Sequence, residues 1–243
     1  ERKEQAAPRH HEKICDDPPI YLIQVPYSGG MPIGYTNAYL VACGERNLLV
    51  DTGVSHEASY EVLRSALEDL QVDRARTDVF LTHFHIDHLG LAAAIARRDA
   101  RVYLSARDEE LFRRRGARSY RGTVKARLAC EGFPADELDE LERTDASLIP
   151  RVEWPMPERF VNLADGDEVR YGDYRMRAVS TPGHTPGHQC LYLPDQGIMF
   201  YGDHVLMTSS PNMAPFPDEA DSLDDYLRSL DKVAQLPVTF ACM

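Results

Sequence analysis

One stretch limits what this chain can fold into more than any other: Thr82-His83-Phe84-His85-Ile86-Asp87-His88-Leu89-Gly90. It follows an apolar run, Val79-Phe80-Leu81, with the character of a buried strand, and precedes Leu91-Ala92-Ala93-Ala94-Ile95-Ala96, with the character of a helix. Three His and an Asp crowded at a strand-to-helix junction have the composition of a metal-ligand cluster. The alternative is a polar loop with incidental His residues. That arrangement is costly, because His and Asp side chains packed beside a buried strand need an ion or other partners.

The spacing has a physical reason. Residues i and i+2 of an extended chain point the same way, so His83 and His85 can converge on one ion. Once the chain turns into a helix, Asp87 and His88 swing toward a second position. Imidazole and carboxylate donors suit Zn²⁺, Fe or Mn²⁺ alike, and no thiolate lies in the cluster.

Three further stretches carry similar signals. Leu48-Leu49-Val50-Asp51-Thr52-Gly53 is an apolar strand ending in a turn. Thr181-Pro182-Gly183-His184-Thr185-Pro186-Gly187-His188 is a loop stiffened by Pro and tightened by Gly. Phe200-Tyr201-Gly202-Asp203-His204 is a second strand end. Together with His-x-His-x-Asp-His, in this order, they resemble the motifs of the metallo-β-lactamase-fold metallohydrolase superfamily, and most closely its glyoxalase-II-like branch. The resemblance implies an α/β fold, a four-layer αββα sandwich built from two similar halves, over residues 19–243.

The resemblance also implies roles. His83, His85 and His184 would hold a first metal, Asp87 and His88 a second, and Asp203 would bridge the two. Asp51 would support the site from behind the ligands, and His188 would brace its loop. His204 fits either a pocket residue or a structural one. The expected cofactor is Zn²⁺, two ions, with Fe or Mn²⁺ as alternatives. The family's last ligand His follows the final strand, and no His follows His204 here, so the C-terminal end of the fold is expected to be missing. The implied activity is hydrolysis of a thioester, ester or lactone by a metal-bound hydroxide, with Asp87 as the catalytic residue that orients the nucleophile or takes up its proton. Asp203 separates the chain from true zinc β-lactamases, and His85 from flavin-linked diiron reductases. A phosphodiesterase or endoribonuclease, a mononuclear-iron sulfur dioxygenase and a non-catalytic metal-binding protein remain as alternatives.

Charge narrows the partners. The formal net charge is −12, which argues against a general nucleic-acid or membrane-surface binder. No apolar run is long enough to span a bilayer. A small-molecule substrate, anionic if the basic stretch 107–127 forms a rim to the site, is the expectation. Five widely spaced Cys, with no C-x-x-C pair, fit reduced thiols in a cytoplasmic protein. Cys43 and Cys190 read as core residues.

Along the chain, residues 1–18 are expected to be a mobile tail. Strands are expected at Tyr21–Val25, Asn37–Cys43, Asn47–Val50, Arg101–Leu104, Tyr174–Val179, Cys190–Leu193, Ile198–Tyr201 and from Val238. Ser55 is expected to cap a helix to about Leu70, with Tyr60, Leu63, Ala66, Leu67 and Leu70 on one face, and Ser222 one to about Gln235. Residues 105–157 read as a helical insertion. In it a basic segment with Arg113-Arg114-Arg115 precedes an acidic one, Glu131 to Glu142, and Trp154 lies in a Pro-rich linker. The plain alternative to a basic rim is a solvated helix face paired with the acidic segment.

Overall fold

The computed structural model describes residues 10–27, 34–114, 125–126, 128–140, 156–213, 216 and 221–243. Two sheets form its centre. The first runs β1 (His11–Asp16), β2 (Pro19–Pro26), β3 (Tyr35–Val41), β4 (Asn47–Val50), β5 (Thr77–Phe80), β6 (Val102–Tyr103), each hydrogen-bonded to the next. The pairings are antiparallel through β4, then parallel across β4, β5 and β6. The second comprises β7 (Glu168–Tyr171), β8 (Tyr174–Ser180), β9 (Gln189–Leu193), β10 (Ile198–Phe200) and β11 (Phe240–Cys242), ordered β11-β10-β9-β8-β7. β11 runs parallel to β10, so the chain crosses over through a helix to reach the sheet edge.

Each strand is read on two faces. Tyr39, Val41, Leu48 and Val50 of the first sheet meet Met176, Leu191, Leu193, Ile198 and Phe200 of the second in a shared core. The alternating residues Ala38, Leu40 and Leu49 face the other way. There they meet Leu63, Ala66 and Leu67 of α1 (Glu57–Asp69). On the far side, Cys190, Tyr192 and Met199 pack with Val233 of α5 (Ser222–Ala234). Burial of both faces is why Leu48-Leu49-Val50 reads as an unbroken apolar run rather than an alternation. The layers are therefore helix, sheet, sheet, helix, as expected.

Three local expectations change. The mobile tail to residue 18 does not hold from His11 onward. His11–Asp16 forms an edge strand on β2, with partly exposed side chains that give it a tail-like composition. The cap of α1 is His56, whose Nδ1 accepts the Ala58 N–H, whereas Ser55 is fully buried. The cap of α5 is Asp221, which accepts from Leu223 and Asp224.

The helix after the His cluster divides into two single turns, α2 (Ile86–Leu89) and α3 (Ala92–Ile95). Of the insertion, α4 (Ala106–Arg114) and helical residues at 125–126, 128–130 and 135–140 are described. Residues 115–124, 127 and 141–155 of it, with Arg115 and Trp154, lie outside the described residues, as do residues 28–33. The described basic residues are paired. Arg107 and Arg114 bind Glu110, Arg113 binds Glu109, and Lys125 binds Asp139 of the acidic segment. Most of this pairing is within α4 itself. All five Cys are unbridged, and Cys43 and Cys190 are buried.

Candidate metal centre

The four sequence motifs sit at strand ends. Asp51 follows β4, Thr82 to His88 follow β5, Thr181 to His188 link β8 to β9, and Asp203 follows β10. β4 and β5 are parallel neighbours, so their following loops emerge together. The Thr52 N–H donates to His88 O at 2.8 Å and ties those two loops to each other. The Gln189 N–H donates to Thr82 O at 2.9 Å and ties the two halves across the sandwich. Gly202 allows the close approach of the second half, since a Cβ there would lie 2.6 Å from Thr82 Cβ at a φ of +52°.

Three ring nitrogens converge. His83 Nε2 is 3.0 Å from His85 Nδ1, His85 Nδ1 is 2.8 Å from His184 Nε2, and His184 Nε2 is 3.2 Å from His83 Nε2. Their partners fix two tautomers. Thr82 Oγ1 donates to Asp51 Oδ2 and so accepts the His83 Nδ1–H, at 3.0 Å. His184 Nδ1–H donates to the Asn212 carbonyl at 2.6 Å. His83 and His184 therefore face one another with lone pairs, not with a proton between them. Buried lone pairs at this distance repel unless a cation lies among them. The edge of a tetrahedron with Zn–N bonds of 2.0–2.1 Å is about 3.4 Å, close to the spacing found. The donor set fits a metal ion.

A second group stands beside it. His88 Nε2 lies 3.3 Å from Asp203 Oδ1 and 3.4 Å from Asp87 Oδ2. The other oxygen of Asp203, Oδ2, lies 3.3 Å from His184 Nε2 and 4.0 Å from His83 Nε2. One carboxylate thus offers an oxygen to each group. His88 Nδ1–H donates to Asp51 Oδ2 at 2.8 Å, which leaves its Nε2 lone pair aimed at the two acids. Asp51 also accepts the Thr82 N–H at 2.9 Å. It is a non-glycine residue at φ 58°, a backbone position held by these contacts.

Electrostatics follow from burial and neighbours. His83 is fully buried, and burial together with the surrounding imidazoles holds its pKa well below the usual His value. Burial also pulls on His88, but Asp203, Asp51 and Asp87 outweigh it and hold His88 well above that value. Desolvation works against the charge of the half-buried Asp87 and Asp203 too, yet His88 keeps both below the ordinary carboxylate range.

His188 braces the loop through Nδ1 to Thr181 Oγ1 at 2.8 Å. His204 is fully buried between His188 and Tyr226, with ring centroids 6.1 and 5.4 Å away, and burial pushes it down to about 4. It belongs to the packing behind the centre. Three participants escape sequence reasoning. Thr82 links Asp51 to His83. Tyr27, at the start of a Gly- and Pro-rich loop, stands beside Asp87 in the wall of one cavity. Asp108, in α4, accepts hydrogen bonds from Phe84, Thr185 and Gly187 of the ligand loops. Thr82 heads the His cluster with no ligand chemistry of its own, and Tyr27 and Asp108 lie outside every motif, so only the fold could reveal their roles.

Asp87 and Asp203 are the open side of the centre, with 21 % and 23 % of their side chains exposed. They face a cavity of about 600 Å³ whose walls include Tyr27, Tyr35, Asn37, Tyr39, Leu206 and Met207. Among the described lining residues there is no Lys or Arg.

The sequence profile of the Metallo-beta-lactamase superfamily matches residues 31–243. The chain belongs to the metallo-beta-lactamase superfamily. A metallo-beta-lactamase family protein from Thermus thermophilus is similar in structure, with a TM-score of 0.75 at 28 % identity, covering 91 % of this chain and 71 % of that one. The Drosophila melanogaster "Beta-lactamase-like protein 2 homolog" is 29 % identical over 208 residues, 85 % of this chain and 56 % of that protein. An "Atrochrysone carboxyl ACP thioesterase" of Aspergillus novofumigatus is 27 % identical over 172 residues, 70 % of this chain and 38 % of that protein. The chain thus spans about half the length, or less, of these two relatives. The described residues of this superfamily member include a His-rich site able to hold metal. No helix among the described residues is long and apolar enough to cross a membrane.

Proposed function

We propose that the chain is the metal-binding catalytic unit of a hydrolase acting on a thioester, ester or lactone, in the glyoxalase-II-like manner. The observation that carries this is Asp203, whose two oxygens lie 3.3 Å from His184 Nε2 and 3.3 Å from His88 Nε2. A carboxylate so shared suits a pair of ions. His83, His85 and His184 would hold one, Asp87 and His88 the other, with Asp203 common to both. Zn²⁺ fits these nitrogen and oxygen donors, and Fe or Mn²⁺ fits them as well. Bound there, the ions supply Lewis acidity, lowering the pKa of water toward about 7 and polarising a carbonyl.

The rest falls to the chain's own residues. Asp87, kept ionised by His88 with Tyr27 beside it, takes up the proton of the attacking water at a carboxylate oxygen. Asp51 and Thr82 hold His88 and His83 in the tautomers that present Nε2 to the centre. The aromatic and thioether walls of the cavity receive the acyl part of a small-molecule substrate and limit water around it. The unpaired Cys fit work in a reducing, cytoplasmic setting. Relatives named as thioesterases support the ester class. The cation-free described lining of the cavity and the self-paired Arg residues of α4 favour it over a phosphodiester.

The test is elemental analysis of protein purified without added metal, run beside hydrolysis of a generic thioester and a generic phosphodiester. Two Zn per chain with thioester turnover is the expected result. One iron with no hydrolysis, or phosphodiester turnover alone, would overturn the proposal.

A further inference from the structure

The centre depends on two loops that are far apart in sequence. His83 and His85 come from the loop after β5, and His184 from the loop between β8 and β9. Their ring nitrogens must stay within about 3.4 Å of each other for one ion to be shared in tetrahedral geometry. Near the sheets the loops are tied by the Gln189 N–H to Thr82 O bond. Farther out, where His85 and His184 meet, a different group joins them.

That group is Asp108. Its carboxylate is fully buried. Oδ2 accepts the Phe84 N–H at 3.1 Å and the Thr185 Oγ1–H at 2.8 Å, and Oδ1 accepts the Gly187 N–H at 2.7 Å. Phe84 lies between His83 and His85, while Thr185 and Gly187 follow His184. One carboxylate therefore holds the backbone of both ligand loops. Asp108 is itself held at the start of α4, where its N–H donates to Ser105 Oγ at 3.1 Å.

Gly187 carries an independent mark of the same contact. A Cβ on it would lie 2.2 Å from Ser105 Oγ, and 2.5 Å from both Asp108 N and Asp108 Oδ1. Its φ is not in the left-handed region, so the glycine is required here by proximity and not by backbone angle. The loop has been drawn onto Asp108 as closely as a chain can approach.

We infer that Asp108 is the positioning residue of the His83–His85–His184 group. It sets the distance between the two loops and so the size of the opening that the three nitrogens surround. It touches neither substrate nor metal and acts through the backbone on either side of the ligands. Asp51 does the corresponding work for His88, by a direct bond to the ring. The inference rests on the proposal that these three His residues hold an ion.

Asp108→Asn tests it. The amide keeps the size but has one acceptor oxygen where the carboxylate has two. If that oxygen stays on Gly187, the amide NH₂ faces the Phe84 N–H, donor against donor. The measurement is competition of apoprotein with a chromophoric chelator for Co²⁺, with the visible Co²⁺ spectrum recorded at each step. Affinity at the three-His group is expected to fall about 10- to 100-fold, the usual effect of losing a group that orients ligands. The Co²⁺ spectrum of that step should shift, while affinity at the Asp87/His88/Asp203 group changes less than about threefold.

Asp78→Asn is the control for lost stability. Asp78 is a fully buried carboxylate that pairs with Arg46, Arg101 and the Tyr171 hydroxyl and touches no ligand loop. It should lower Tm without changing the ratio of the two affinities. Thr185→Val removes one of the three donors described on the carboxylate and should shift the same ratio in the same direction, by a few-fold, should Asp108→Asn fail to fold. Equal weakening of both groups, or an unchanged spectrum and ratio in either folded variant, would show Asp108 to be merely structural. Wild-type apoprotein that takes up no Co²⁺ at all would overturn the metal assignment, and this inference with it.

Discussion

Replacing Asp51 by Asn should switch the tautomer of His88. The Asp51 carboxylate receives three hydrogens: Thr82 N–H at 2.9 Å on Oδ1, and Thr82 Oγ1–H at 2.9 Å and His88 Nδ1–H at 2.8 Å on Oδ2. Asn offers one oxygen and one NH₂. A backbone N–H cannot turn away, so the oxygen stays on Thr82 N–H and the NH₂ meets Thr82 Oγ1 and the Nδ1–H of His88. Two N–H groups cannot share 2.8 Å, so His88 moves its proton to Nε2. That proton then points at Asp87 and Asp203, where a metal needs a lone pair. Loss of such an orienting partner costs about 10- to 100-fold in metal affinity, or about 1.4–2.7 kcal/mol at 1.36 kcal/mol per decade. The three-His group should change less. Thr82 Oγ1 has two lone pairs, so it can accept from the new NH₂ and still accept the His83 Nδ1–H. Two-step Zn²⁺ competition against a chelator, with the steps assigned by His88→Ala and His184→Ala, measures both affinities. Long-range ¹H–¹⁵N NMR of the imidazoles reports the tautomer. If D51N leaves His88 with its proton on Nδ1, or weakens both groups equally, the argument from Asp51 is wrong.

Other outcomes follow from the same geometry. Removing metal with a chelator should abolish thioester turnover, and added Zn²⁺ should restore it. His83→Ala or Asp203→Ala should lower metal content and cut turnover at least about 10³-fold, since several kcal/mol of charge stabilisation leave with the ion. Tyr27→Phe removes the hydroxyl that stands beside the Asp87 carboxylate in the cavity wall and helps keep it ionised. Turnover should drop at least about tenfold with Tm nearly unchanged, as steady-state kinetics and a thermal melt will show. His204, lowered by burial from 6.5 to about 4, favours the folded state while neutral. Its contribution of about 3 kcal/mol is complete above pH 6.5 and is lost as pH falls toward 4. Urea unfolding of apoprotein at pH 7 and pH 4.5 should show that loss, and His204→Phe should reduce it.

Parts of the molecule could be read from local order. A strand buried on both faces leaves an unbroken apolar run, and Leu48–Val50 and Val79–Leu81 are such runs. The helix face of Tyr60, Leu63, Ala66, Leu67 and Leu70 follows from period alone, and its members pack on the first sheet. The edge strand His11–Asp16 was hidden because an edge exposes much of its surface and tolerates charge. The capping residues moved by one position, to His56 and Asp221. A cap depends on which backbone N–H is left free when the helix docks, and a neighbouring side chain can answer as well as the expected Ser.

By itself the sequence determined the donors. His-x-His-x-Asp-His at a strand end, with Asp51, His184 and Asp203 at three others, marks a metal-binding layered α/β chain, because imidazole and carboxylate crowding is intelligible only around a cation. Tertiary structure alone decided how those donors are divided and held. Asp203 splits its oxygens between two groups because β10 ends opposite β5. Thr82 becomes a relay because β4 and β5 lie side by side. Tyr27 and Asp108 join the centre from segments with no motif, because hydrogen bonds form between atoms brought within about 3 Å by folding, at any separation along the chain.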